Sequence, residues 1–388
     1  MPQCGVQPVS TLLSWRQVSG SPFIFEGRSG YTERFLNITY NCLLCGLCDV
    51  SCKVCRYNME PLQAMKELRS RLVSDGQVLP QHTRLIDGLR ENDNLLLQPK
   101  VTRGNWAEGL GIKDLTRDKS EVVFYAGCKP SYDAESGKAA LSAVSLLQKC
   151  GIDFGILGTS ESCCGGRAYD MGYRADFSNC AEKNILSWKK AGVKTVVTSC
   201  ADCYHAFKRL YPASGSQFEV LHTVELVAKM LQEKRLKFKR SIPLKITYHD
   251  PCHLGRQGEP YVPWQGKEKK IRGQIVVYEP AKPRYNGAWG IYDIPRKVLK
   301  SIPGLELVEM ERIRECAWCC GAGGGVTEAY PQFSAWTAGE RINEAKSTGA
   351  EAIVSACPWC EGNFRDSIKS RGETMQVYDI LELVQQAI

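Results

Sequence analysis

No uninterrupted apolar run in the 388 residues approaches the roughly 18 that a membrane-spanning helix needs. Met1 to Trp15 lack the basic run and following apolar stretch of a secretory leader, so export is not expected. A flavin-binding fingerprint is also missing, so any flavin chemistry would depend on a partner. The formal charge is +8, but basic runs such as Lys234-Arg235-Leu236-Lys237-Phe238-Lys239-Arg240 read as solvated surface, and nucleic acid is not expected as a partner. An apolar share of 43% and a charged share of 24% are those of a globular protein with two or three domains.

Cysteine is the abundant residue. Nineteen are too few for a small disulfide scaffold and too many for an ordinary cytoplasmic enzyme, which points to metal or redox chemistry in the cytoplasm. Metal-bound cysteines are thiolates, so the assembled protein should be less basic than its formal charge.

Cys42, Cys45, Cys48 and Cys52 form a C-x2-C-x2-C-x3-C run, the spacing with which thiolates wrap a cubane [4Fe–4S] cluster; Gly46 lets the backbone pass close to it. Cys42, Cys45 and Cys48 are the expected ligands. The fourth is left open among Cys52, which lacks the usual following proline, Cys55 and Cys4. Residues 1–40 read as an irregular arm, 41–118 as a mostly helical ferredoxin-like domain, and 91–120 as the linker leaving it.

Two pentads follow. Cys128, Cys163, Cys164, Cys200 and Cys203 recur in the same order as Cys252, Cys319, Cys320, Cys357 and Cys360. Cys357 lies 157 residues after Cys200, and Val377 lies 157 after Val220, so the chain holds an internal repeat. Expected strands at 121–126, 194–198 and 218–221 match those at 245–248, 351–355 and 375–378. Helices at 139–149, 176–190 and 224–233 alternate with the first set, and helices at 295–302 and 335–346 with the second. The expected fold is α/β, with repeated domains at 119–240 and 241–388. Thirty-five residues separate Cys128 from Cys163 but 67 separate Cys252 from Cys319, which puts an insertion within 256–293 as a lid, docking surface or plain surface loop.

Adjacent cysteines cannot both bind one tetrahedral zinc without strain, but they can bind neighbouring metals of a cluster, and five thiolates exceed a closed zinc site. Gly165 and Gly321, next to each pair, permit tight turns and free backbone amides. His253 and His205 are candidate proton carriers. Cys150 and Cys180 read as core thiols, and Cys316 as a residue just outside the ligands.

The doubled pentad resembles the CCG domain of heterodisulfide reductase catalytic subunits. With the ferredoxin-type run in front, and with Tyr248-His249-Asp250-Pro251-Cys252-His253-Leu254-Gly255-Arg256 around the first cysteine of the second unit, the chain resembles the D-type subunit. That resemblance implies tandem CCG domains holding two noncubane [4Fe–4S] clusters beside one cubane. It implies reduction of a disulfide or onward electron transfer, with flavin- and iron–sulfur-containing partner subunits. D-type chains usually carry two ferredoxin runs, and this one carries a single run. Alternatives are a relay subunit of an electron-bifurcating or aromatic-ring-reducing complex, the iron–sulfur subunit of a glycolate or lactate oxidase, and a zinc-bound scaffold.

Overall fold

The computed structural model describes residues 30–55, 59–260, 264–273 and 275–388. It begins with four helices: α1 (Glu33–Tyr40), α2 (Leu47–Cys55), α3 (Pro61–Ser74) and α4 (Pro80–Asn92). Residues 1–29 of the expected arm lie outside the described residues. Over 33–40 the chain is helical rather than irregular, because the Thr32 hydroxyl accepts the Phe35 amide at 3.2 Å and caps the first turn. Helices α3 and α4 each start on a proline, whose fixed φ suits the first helical position.

The stretch after α4 is no free linker. Arg103 is buried, and β1 (Lys113–Asp114) joins the edge of the first sheet by pairing with β3 (Gly155–Ile156). The unit continues with β2 (Val122–Tyr125), α5 (Cys128–Tyr132), α6 (Ala134–Lys149), α7 (Gly166–Met171), α8 (Arg174–Ala191), β4 (Thr195–Thr198), α9 (Ala201–His205), β5 (Glu219–His222) and α10 (Thr223–Gln232). Its sheet runs β1-β3-β2-β4-β5, all parallel.

The second unit holds β6 (Leu244–Tyr248), β7 (Lys267–Ile271), β8 (Ile275–Glu279), α11 (Asp293–Ser301), β9 (Leu305–Val308), α12 (Val326–Ala329), α13 (Pro331–Ser347), β10 (Ala352–Ser355), α14 (Pro358–Ser370), β11 (Gln376–Asp379) and α15 (Ile380–Ala387). Its main sheet is β11-β10-β6-β9, again parallel, which is β5-β4-β2-β3 of the first unit. Register repeats with it: Thr195 faces Glu219, and 157 residues later Ala352 faces Gln376. Each unit also ends alike. His222 with Glu225, and Asp379 with Glu382, form capping boxes that start α10 and α15.

Buried parallel strands need apolar residues on both faces, and β10 is buried throughout. In the first unit Trp188 meets Phe207 edge-on at 5.0 Å between ring centres, and Tyr125 meets Phe207 at 4.7 Å. The insertion contains the antiparallel ribbon β7–β8. No helix among the described residues is long and apolar enough to cross a membrane.

Candidate metal centre

Parallel strands end on a common edge, and loops from that edge carry the cysteines. In the first unit Cys128 opens α5 just after β2, Cys163 and Cys164 follow β3, and Cys200 is the N-cap residue of α9, which contains Cys203. In the second, Cys252 follows β6, Cys319 and Cys320 follow β9, and Cys357 is the N-cap residue of α14, which contains Cys360. Gly165 and Gly321 adopt φ of 74° and 88°, left-handed turns that a side chain would strain. At Gly321 a Cβ would also press into the Ser334 carbonyl oxygen.

The thiols form one unbroken series. Cys128 contacts Cys163, Cys163 contacts Cys164, Cys164 contacts Cys203, and Cys203 contacts Cys200. Cys200 then meets Cys357 of the second unit, which meets Cys360; Cys360 meets Cys320, and Cys320 meets Cys319. Cys319 in turn contacts Cys45 of the N-terminal run. Cys252 lies beside Cys319 and Cys320. Hydrogen bonds from the neighbouring thiols bring Cys164 down to about 6 and Cys320 down to about 5, so the second member of each adjacent pair is the one disposed to be a thiolate.

Cys42, Cys45, Cys48 and Cys52 gather around the N-terminus of α2, where Gly46, at φ 77°, turns the chain. Cys4 lies outside the described residues, as does the side chain of Cys55. The run is seated against the second unit by polar contacts: Arg256 Nε donates to the Cys45 carbonyl at 2.6 Å, and Gln257 Nε2 to the Leu44 carbonyl at 2.8 Å.

Buried arginines surround the thiols. Arg69 donates to the carbonyls of Tyr40 (3.0 Å), Cys42 (2.5 Å), Asp170 (3.2 Å) and Gly324 (2.6 Å), joining the helical region to both repeats. Arg103 lies 3.5 Å from Cys128 Sγ and 2.7 Å from Glu161, and Arg256 lies beside Cys45 and Cys252. A buried cation whose partners are mostly carbonyls is costly unless an anion lies nearby. The donor set, soft thiols banked by buried positive charge, fits anionic iron–sulfur clusters.

Both histidines expected as proton carriers lie between the units. Their rings stack with centres 4.7 Å apart. Burial pushes His205 well below the ordinary imidazole value, and its Nδ1 lies 3.0 Å from the Gln257 carbonyl. Burial acts against protonation of His253 too, but Asp202 outweighs it, with Asp202 Oδ1 at 2.6 Å from Nδ1, and the value is raised. Asp202 Oδ1 also lies 4.0 Å from Cys357 Sγ. His249, which the sequence pattern alone did not single out as functional, is buried, and one of its ring nitrogens forms a tight group with the sulfurs of Cys320 and Cys360. Burial, then the Arg341 guanidinium, push it down to about 3, so its ring is neutral. Cys150 and Cys180 are buried core thiols, and Cys316, three residues before Cys319, is disulfide-bonded.

The CCG family model, a cysteine-rich domain, matches residues 122–208 and 281–365. The second match begins after β6 and Cys252, which the sheet register nevertheless joins to it. The chain is 30% identical over 399 residues to the D-type subunit of the dihydromethanophenazine:CoB–CoM heterodisulfide reductase of Methanosarcina mazei, covering 99% of this chain and 88% of that one. It is 31% identical to a probable iron-sulfur-binding oxidoreductase, FadF, of Bacillus subtilis, covering 89% of this chain and 46% of that one. It is 29% identical to the EtfAB:quinone oxidoreductase of Syntrophomonas wolfei, with the same two shares.

Proposed function

The chain belongs to the family of D-type heterodisulfide reductase subunits, iron–sulfur oxidoreductases, and we propose that it is the iron–sulfur component of a cytoplasmic redox complex that reduces a disulfide. In this reading Cys42, Cys45 and Cys48, with Cys52, Cys55 or Cys4 as fourth ligand, hold a cubane cluster. The two pentads each hold a noncubane [4Fe–4S] cluster. Clusters bound in these places supply one-electron transfer.

One observation carries the proposal: the unbroken series of thiols from Cys45 through Cys319 and the second pentad to Cys357, Cys200 and the first. That order supports electron input at the N-terminal run from flavin- or iron–sulfur-containing partner subunits, followed by transfer to the second site and then the first. A disulfide takes two electrons and two protons to give two thiols. His253, held by Asp202 beside Cys357, is positioned to hold one of those protons, with the His205 ring, kept neutral by burial, stacked on it.

The test is anaerobically purified protein, oxidised, given a thiol, and examined by EPR. A thiol-induced signal on iron-replete protein supports disulfide chemistry. Its absence on equally replete protein supports a second reading, electron relay to another subunit. The burial of Cys200 and Cys357, each 1% exposed where the units meet, favours that reading.

A further inference from the structure

The repeat places equivalent residues at equivalent positions of the two sites, with one informative exception. Phe124 pairs with Val197 across β2 and β4, and Tyr248 pairs with Val354 across β6 and β10, so the next residues, Tyr125 and His249, occupy the same place. Each stands three residues before the first cysteine of its pentad. The Tyr125 hydroxyl is committed, donating to the Ser162 carbonyl at 2.6 Å.

His249 is not committed in that way. Its backbone amide extends the ladder to the Val354 carbonyl at 2.8 Å, and Phe364 packs edge-on at 5.0 Å, so the imidazole is fixed. Nδ1 lies 3.2 Å from Arg341 Nε, and that guanidinium is itself pinned by the Glu344 carboxylate and the Arg312 carbonyl, both at 2.8 Å. A guanidinium can only donate. Nδ1 is therefore the acceptor, and Nε2 carries the ring proton. Nε2 is buried without a hydrogen-bond partner, on a ring whose nitrogen lies within 4.8 Å of the sulfurs of Cys320 and Cys360. With its proton in place Nε2 cannot ligate a metal; it can donate to sulfur.

We propose that His249 is a positioning residue that donates its Nε2–H to sulfur at the second cysteine site, making the two repeated sites electronically inequivalent. This rests on both pentads holding iron–sulfur clusters. A donated N–H stabilises the more negative, reduced state, so this bond raises the reduction potential of the second site. At the first site the equivalent position gives no such bond, since Tyr125 is turned to a carbonyl, and the N–H donor to sulfur there is Arg103, 3.5 Å from Cys128 Sγ.

The experiment is an anaerobic redox titration of the intact chain followed by EPR, with iron content measured on each sample. His249→Phe removes the donor and keeps a ring of the size that Tyr125 shows this position accepts. His249→Gln keeps an N–H. The expected result for His249→Phe is full iron, an unchanged cubane signal, and one pentad signal whose reduction becomes about tenfold less favourable, about 59 mV for a one-electron couple. His249→Gln should recover most of that shift. Unchanged potentials in iron-replete His249→Phe would overturn the proposal, as would equal shifts in the two variants. Iron loss at one site in both variants would assign His249 as a ligand or a structural support instead. Wild-type protein with iron at the N-terminal run alone would remove the cluster assignment itself, and iron content separates that failure from the others.

Discussion

Arg256 Nε donates to the Cys45 carbonyl at 2.6 Å while the same guanidinium donates to the Glu315 carbonyl at 2.6 Å and the Ala317 carbonyl at 2.9 Å. One buried side chain thus ties the N-terminal cysteine run to the loop that precedes Cys319. Lysine offers a compact ammonium that cannot span three carbonyls. Arg256→Lys should leave at least one of them unsatisfied and cost about 2 to 3 kcal/mol, read by anaerobic denaturant titration. It should also slow electron exchange between the N-terminal run and the second site in freeze-quench EPR. An unchanged exchange rate in a folded variant would mean that the Cys45–Cys319 contact is not the route.

Arg167 bridges the repeats. It donates to the Ala322 carbonyl at 2.7 Å and to both Glu328 oxygens at 2.8 and 2.9 Å, with its guanidinium 4.0 Å from the Trp359 ring centre. In a double-mutant cycle with Arg167→Lys and Glu328→Gln, a coupling of about 1 to 3 kcal/mol is expected. Additive effects would show that the bidentate pair contributes little to docking.

Gly321 and Gly165 are equivalent, but their surroundings differ. A Cβ at Gly321 would lie 2.4 Å from the Ser334 carbonyl oxygen, whereas at Gly165 the nearest atoms, of Cys180 and Phe177, lie at 3.1 to 3.2 Å. The closer backbone contact leaves less room to adjust. Gly321→Ala should therefore displace Cys320 and deplete iron at the second site, while Gly165→Ala should retain more iron at the first. Equal iron loss would contradict the distinction.

His82 gives a pH signature. It is buried, its Nε2 donates to the Gly325 carbonyl at 2.9 Å, and burial, aided by Arg69 and Arg167, pushes its value down to about 4. A histidine depressed in the folded state contributes fully above its unfolded value of about 6.5, and that contribution is lost as pH falls towards 4, up to about 3 kcal/mol. Between pH 7 and 5 the wild type should lose stability more steeply than His82→Gln, which keeps a donor for Gly325. Parallel pH curves would show that His82 is not held neutral.

The repeat, the strands and both pentads were legible because cysteine spacing and buried parallel strands leave strong local patterns, as with Val196-Val197 and Ile353-Val354. Other parts were not. Arg69 and Arg103 look like surface residues in sequence, and their burial depends on distant segments, the Gly324 carbonyl for Arg69 and the Glu161 carboxylate for Arg103. Helix α1 was hidden because its signal is a single cap, Thr32, within a stretch otherwise punctuated by glycine and proline. The β7–β8 ribbon falls in an insertion without a counterpart in the first unit. Asp202 lies between two ligating candidates, and only the packing of the units brings it to His253.

Iron and acid-labile sulfide per chain, measured on anaerobically purified protein, test the assignment of all three cysteine groups most directly. Three four-iron clusters require about twelve irons and about as many sulfides. About four irons, with the pentads metal-free or holding zinc, would contradict it.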